Sequence, residues 1–157
     1  DALDRVLELK PKVIGHSHFR IVEGEEYIQA SVKQMRDAVQ YVWDETIAGM
    51  NAGKSYWELM RDVQLPKELA LSQGHGRVSW SVRGIWEIVT GWYSYDTIAD
   101  LYPVPPTAVN GDLIELVGGV DVLVKRARRY LDQDKPLEAI RLLDVAKGQE
   151  TKRVLKT

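Results

Sequence analysis

Two of the three histidines in this chain, His16 and His18, stand two residues apart in the run Lys10-Pro-Lys-Val-Ile-Gly-His-Ser-His18-Phe-Arg-Ile-Val-Glu-Gly24. Imidazole nitrogens suit zinc and similar borderline ions, and a ligand has to be held by rigid backbone, so a histidine at the end of a short apolar strand is a chemically sensible placement. If the strand is regular, His16 shares a face with His18 and is either a partner behind the ligand or the ligand itself. A hydrolytic zinc site needs at least three protein ligands. The third histidine, His75, lies between two glycines far along the sequence, where a hydrogen-bonded loop histidine is the expected role. By residue type alone, this chain therefore carries a piece of a metal centre, or two ordinary loop histidines.

Other chemistry is harder to find. Gly74-His-Gly-Arg77 has neither the Lys-Ser/Thr ending nor the preceding strand of a phosphate loop. Arg126, Arg128 and Arg129 are expected in the last turns of a helix, where cations complement the dipole, and Glu23, Glu25 and Glu26 cluster at a helix start for the converse reason. No acid–base pair and no Ser-His-Asp ordering is visible, so no catalytic residue is assigned. A net charge of -2 and a pI near 6.0 offer no broad attraction to phosphate backbones, which argues against nucleic acid. The absence of cysteine removes disulfides, thiolate nucleophiles and Cys-type zinc sites together, without fixing a compartment. No apolar run reaches the ~20 residues that span a bilayer. With 157 residues, 45% of them hydrophobic, the chain is long enough for one substantial core.

The elements that must position these residues are nearly all helical. A Leu- and Val-rich helix (Leu3, Val6, Leu7, Leu9) ends at Lys10-Pro11. From Glu25 to about Asn51, the residues Ile28, Val32, Met35, Val39, Val42, Thr46, Ile47 and Met50 recur every three or four positions, one long stripe. Ser55 and Glu58 match the capping-box pattern at the start of a short helix that ends before Pro66. A third helix is expected from about Val78 to Trp92, with Val78, Val82, Ile85, Trp86, Val89 and Tyr93 on one side and Trp80 and Trp92 widening the apolar face. The three prolines of Tyr102-Pro-Val-Pro-Pro106 predict a rigid extended connector. A short helix from Val109 to Val117 follows. The next is capped by Asp121, with Leu123, Val124, Ala127, Tyr130 and Leu131 facing inward. The last begins at Pro136, carries Leu137, Ile140, Leu143 and Ala146 inward, and stops at Gly148. The pair joined at 132–135 resembles one helix-turn-helix unit of a tetratricopeptide array, with Ala127, Tyr130 and Ala139 near the small and aromatic positions. The tail from Thr151 is polar and reads as cut short.

With the residues laid out, a family resemblance becomes specific. The first 24 residues resemble the C-terminal end of a metallo-beta-lactamase-fold domain, where a Leu-rich helix, a Lys-Pro turn and a short strand lead to a metal-binding His followed six residues later by Gly, here His18 and Gly24. Residues 25–157 resemble the helical dimerisation domain of the alkyl sulfatases. The matching segments are Gln34-Met-Arg-Asp37 with Tyr41 to Thr46, Gly76-Arg-Val78 with Val82-Arg-Gly84, Gly91-Trp-Tyr93, Leu101-Tyr-Pro-Val-Pro-Pro106 and Gly118-Gly-Val-Asp121. The chain departs from that family at Ser94-Tyr-Asp-Thr-Ile98, where an Asp-Gly-Asn-Pro run is usual, and at Phe19-Arg20.

The fold implied is all-α, a multi-helix domain preceded by a short helix–strand remnant of an α/β fold. The function implied is that of a dimerisation region of a zinc-dependent hydrolase acting on sulfate esters, with His18, or else His16, as one ligand of a binuclear zinc centre whose His-x-His-x-Asp-His run lies outside this sequence. A homodimer is expected through Trp80, Trp86, Trp92 and Tyr93, since aromatic side chains are enriched at interface centres and five Trp is a large stock for this length. The contrasting reading is a non-catalytic helical module of tetratricopeptide type that binds a peptide.

Overall fold

The computed structural model describes residues 2–93 and 96–154, with side chains described to residue 147. Helices dominate, and the chain divides into two compact units, Asp1–Ser94 and Tyr95–Thr157. This is a division by packing, whereas the boundary expected at Gly24 is one of family resemblance. Part of the departure at Ser94-Tyr-Asp-Thr-Ile98 falls on residues 94 and 95, outside the described residues.

In the first unit, α1 (Ala2–Leu9) stops where Lys10 turns into the left-handed region (φ 46) ahead of Pro11. Two short antiparallel strands follow, β1 (Val13–Ile14) and β2 (Val22–Glu23), with Val13 opposite Glu23 and Ile14 opposite Val22. The Gly24 amide donates to the Lys12 carbonyl at 3.0 Å, and Gly24, at φ 102, turns the chain into α2 (Glu25–Asn51). The α1 helix rests on α2: Gln29 Nε2 donates to the Leu7 carbonyl at 3.3 Å, and Arg36 pairs with Asp4 at 3.5 Å.

The long stripe of α2 splits in two. Ile28, Ala38, Val42 and Thr46 are buried, the Thr46 hydroxyl donating to the Val42 carbonyl at 2.6 Å, whereas Met35 and Val39 stand exposed on the neighbouring face beside Trp43. At the end of α2, Gly53 (φ 77) donates to Met50 and Lys54 to Gly49, the paired bonds of a glycine-terminated helix. Gly49 also lets another helix approach: a Cβ there would meet Leu59 of α3 (Tyr56–Asp62) well inside van der Waals contact. The capping box at the start of α3 forms as expected, with Ser55 Oγ accepting from the Glu58 amide and the Ser55 amide donating to the Glu58 carboxylate at 2.9 Å. The bond from the Ser55 amide, and after it one from the Ser55 hydroxyl to the same carboxylate oxygen at 2.8 Å, hold Glu58 below the ordinary carboxylate range.

The fourth helix, α4, covers Val78–Thr90 rather than reaching Trp92. Gly91, at φ 82, takes the chain out of the helix and leaves Trp92 and Tyr93 beyond its end. Val42, Leu59, Val63, Val78, Val82 and Ile85 form the core of this unit, with Trp86 packed against it. Tyr56, itself buried, meets Trp86 edge-on at 5.7 Å and carries the Arg83 guanidinium 4.0 Å above its ring, while Arg83 pairs with Glu87 at 2.6 Å. Val89, expected on the inward side, is half exposed.

In the second unit, the proline segment is less extended than its sequence suggests. Short 3₁₀ turns cover Ile98–Leu101 and Pro106–Val109, and the extended backbone is confined to the residues between them. The α5 helix (Asn110–Leu116) ends in Gly118 (φ 90), which donates to Glu115 while Gly119 donates to Ile114. The next helix, α6 (Val120–Asp132), starts from Gly119 as its cap. Asp121 therefore lies inside the first turn rather than capping it, where its charge still complements the amide end. The α6 end repeats the paired bonds, Asp134 to Leu131 and Lys135 to Tyr130, with Asp134 at φ 56 where glycine is usual. The last helix, α7 (Pro136–Val154), begins at the expected proline but runs through Gly148 instead of stopping there.

Its inward face is also shifted by a residue or two from the expected one. Ala146 is buried as expected, but Ala139 is buried and Leu142 and Val145 pack against the core, whereas Leu137, Ile140, Leu143 and, on α6, Leu131 are exposed. Small residues win the inward positions because Ala127 and Ala139, 2% and 1% exposed, are found where α6 and α7 lie side by side. Asn110 closes the unit by donating to the Asp144 carbonyl at 3.4 Å.

Candidate functional site

The two strands are short, and this decides where the histidines go. β1 ends at Ile14, so His16 and His18 lie in the 15–21 loop and not on a strand; the shared face expected from strand periodicity does not exist. Both histidines are exposed. The loop is anchored at its base by the β1–β2 pairing and towards its tip by Phe19, whose ring meets His75 edge-on at 5.7 Å. His75 thus takes part in an aromatic contact, in place of the hydrogen bond expected of it, and links the histidine loop to the segment leading into α4. That link joins residues far apart in the sequence, and neither carries a local signal for it.

Among the described residues, no three His, Asp or Glu side chains converge where they could hold a metal ion. One or two imidazoles on an exposed loop do not make a zinc site, so the donor set of this chain does not fit a complete centre and no catalytic step is derived from it. Arg126, Arg128 and Arg129 are exposed on α6, as a solvated face requires.

The aromatic residues expected at an interface fall into two groups. Trp86 is partly buried against the core and Tyr93 is half-buried, in edge contact with Trp92 at 5.9 Å. Trp80 and Trp92 are 61% and 70% exposed, too open to contribute to the core of this unit. Sequence periodicity read α2 as one stripe, whereas Met35, Val39 and Trp43, following one another every four residues, make a second face that stands about half exposed beside Trp80. The spacing is itself the signal: two apolar stripes on one helix imply two packing faces.

The first unit is therefore a helical scaffold that holds a histidine loop and displays large apolar side chains. A profile of the family described as alkyl sulfatase dimerisation matches residues 56–154, and the chain belongs to that family. The linear primary-alkylsulfatase of Pseudomonas sp. is 35% identical over 139 residues, covering 85% of this chain and 26% of that protein. The alkyl/aryl-sulfatase BDS1 of Saccharomyces cerevisiae is 27% identical over 130 residues, 80% of this chain and 20% of that one. Among solved structures, the stereoselective inverting sec-alkylsulfatase Pisa1 from Pseudomonas sp. superposes with a TM-score of 0.72 at 26% identity, covering 89% of this chain and 23% of that chain. A double mutant of the sec-alkyl sulfatase PisA1 gives a TM-score of 0.76 at 24% identity, covering 94% and 24%. This chain thus spans about a quarter or less of the length of these relatives.

Proposed function

We propose that this chain is the dimerisation region of an alkyl sulfatase-like hydrolase and self-associates as a homodimer through Trp80 and Trp92, with Trp86 and Tyr93 behind them. The observation that carries this is the pair of exposed tryptophans at the two ends of α4 in a chain whose family is described by dimerisation. A twofold interface presents the same patch from both copies, so each ring is used twice. Light scattering at micromolar concentration tests the reading: twice the chain mass is expected, and Trp92→Ala, lying beyond α4, should shift the mass towards the monomer without loss of helicity. A monomeric wild type refutes it and favours the helical module, for which the α6–α7 hairpin with its buried alanines is the supporting feature.

The hydrolysis of a sulfate ester belongs, in this reading, to a longer protein, with zinc as its metal and residues 1–24 as the end of a metallo-beta-lactamase-like domain. When bound, zinc would lower the pKa of water and stabilise developing negative charge. The part left to this chain is positional: the β1–β2 pairing and Phe19 hold the loop that offers His18 as one ligand. In the longer protein, His18→Ala should lower zinc content and turnover together while the helices stay folded. If His16→Ala does so and His18→Ala does not, the ligand assignment passes to His16.

A further inference from the structure

Asn110 is followed by Gly111, whereas the other asparagine of the chain, Asn51, precedes alanine. An Asn-Gly pair is chemically unstable in an unfolded chain. The side-chain carbonyl of asparagine lies one five-membered ring away from the amide nitrogen of the next residue, and glycine, with no Cβ, leaves that nitrogen unshielded and free to swing towards it. Here the fold opposes the reaction. Asn110 opens α5 with helical backbone (φ -59, ψ -36), and ring closure requires that ψ to turn well away from the helical value. The side chain is held as well, only 6% exposed and donating from Nδ2 to the Asp144 carbonyl of α7 at 3.4 Å. Ile114, one turn further along α5, is buried in the same small core as Ala146 of α7. The ring can therefore close only when α5 parts from α7.

We propose that Asn110 is a latent site of self-modification: packed against α7 it is inert, and when α5 opens, the Gly111 amide cyclises onto its side chain and the product keeps the second unit open. The Gly111 nitrogen bonds to Asn110 Cγ and gives up its proton, the Cγ–Nδ2 bond breaks, and Nδ2 leaves with that proton as ammonia. Water then opens the succinimide ring at either carbonyl, giving aspartate or isoaspartate. No other reagent is consumed. Either product replaces a donor by a negatively charged acceptor facing the Asp144 carbonyl, so a satisfied buried pair becomes an unpaired buried charge. Isoaspartate also lengthens the backbone at the first residue of α5. The amide end of this seven-residue helix offsets little of the new charge, because Asp112 already occupies its first turn. Opening is thus reversible only until the ring closes.

The test follows deamidation of this chain by mass spectrometry in mildly alkaline buffer, with and without guanidinium chloride. Tryptic peptide 84–125 carries Asn110 as its one side-chain amide and so reports on it alone. The native rate should lie at least about a hundredfold below that of the unfolded chain. At intermediate denaturant it should rise in step with hydrogen exchange of the α5 amides. In full denaturant, where folding plays no part, Gly111→Ala should slow the reaction severalfold by shielding the attacking nitrogen. Asn110→Asp, which carries the charge of the product, should speed exchange of the α5 amides about tenfold while α4 stays protected. Loss of all protection in the second unit with α4 intact is the extreme of the same effect and supports the proposal. A native rate equal to the unfolded one, a rate that does not follow α5 exchange, or an unchanged rate in Gly111→Ala overturns it. So does Asn110→Asp with undiminished protection of α5, since the product would then allow the unit to close.

Discussion

The two units solve the same packing problem with different side chains. In the first, the core is built from large residues, with Leu59 and Val82 fully buried and Tyr56, Trp86 and Arg83 stacked at its edge. In the second, Ala127, Ala139 and Ala146 are buried while Leu116, Leu131, Leu137 and Ile140 are half exposed or more. The first gains its stability from apolar area removed from water. The second also buries Ile114 and Leu123, but it gives several inward positions to alanine and leaves many of its larger side chains outside. Sensitivity to substitution should therefore run in opposite directions: the first unit suffers when side chains shrink, the second when they grow.

Leu59→Ala should have the largest effect, about 3 kcal/mol measured by urea unfolding, since it removes a fully buried side chain and leaves a cavity behind. A loss below about 1 kcal/mol would mean that the first core is loose enough to collapse around the gap. Ala139→Leu should come next, at about 2 kcal/mol, by forcing α6 and α7 apart. If it is tolerated, the contrast between the units fails. Ser55→Ala removes the cap of α3 and should cost about 1 kcal/mol near neutrality. Its effect should also depend on pH. Glu58 is held below its ordinary value of 4.5 in the folded chain, so its contribution is present above that value and is lost as pH falls through the lowered one. Ser55→Ala removes the hydroxyl bond to Glu58 but keeps the amide bond, so thermal melts of wild type and Ser55→Ala should draw closer in acid without merging. The smallest change is expected from Leu137→Ser, within about 0.5 kcal/mol, because a side chain 73% exposed has little burial to lose.

Much of the first unit was legible in its sequence. The 3.6-residue period found α2 and α4, and Ser55 with Glu58 marked the start of α3, because these signals are local. The end of α4 was misread by two residues, since Trp92 continues the apolar pattern while the positive φ of Gly91 breaks the helix. In the second unit, Leu123, Ala127 and Ala146 were placed inward correctly, but hydrophobicity also pointed to Leu137, Ile140 and Leu143 and passed over Ala139, which a count of large apolar residues overlooks. The candidate site was legible in part for a similar reason. His18 is marked by its motif, but the Phe19–His75 contact depends on tertiary proximity that no spacing encodes.

Gly49 gives the α2–α3 corner an asymmetry of use to anyone who would stabilise this domain. Replacing helical glycines by alanine is a routine route to thermostability, since it restricts the unfolded chain and restores helix propensity. Gly84 in α4 has open space where the methyl would go, and should reward that substitution by ~0.5–1 kcal/mol. At Gly49 the same methyl would have to displace Leu59, the side chain that anchors α3. One rule applied blindly to both helices would therefore tighten one and unseat the other, and the hydrogen that Gly49 carries in place of a methyl is as specific a packing element as any side chain in the core.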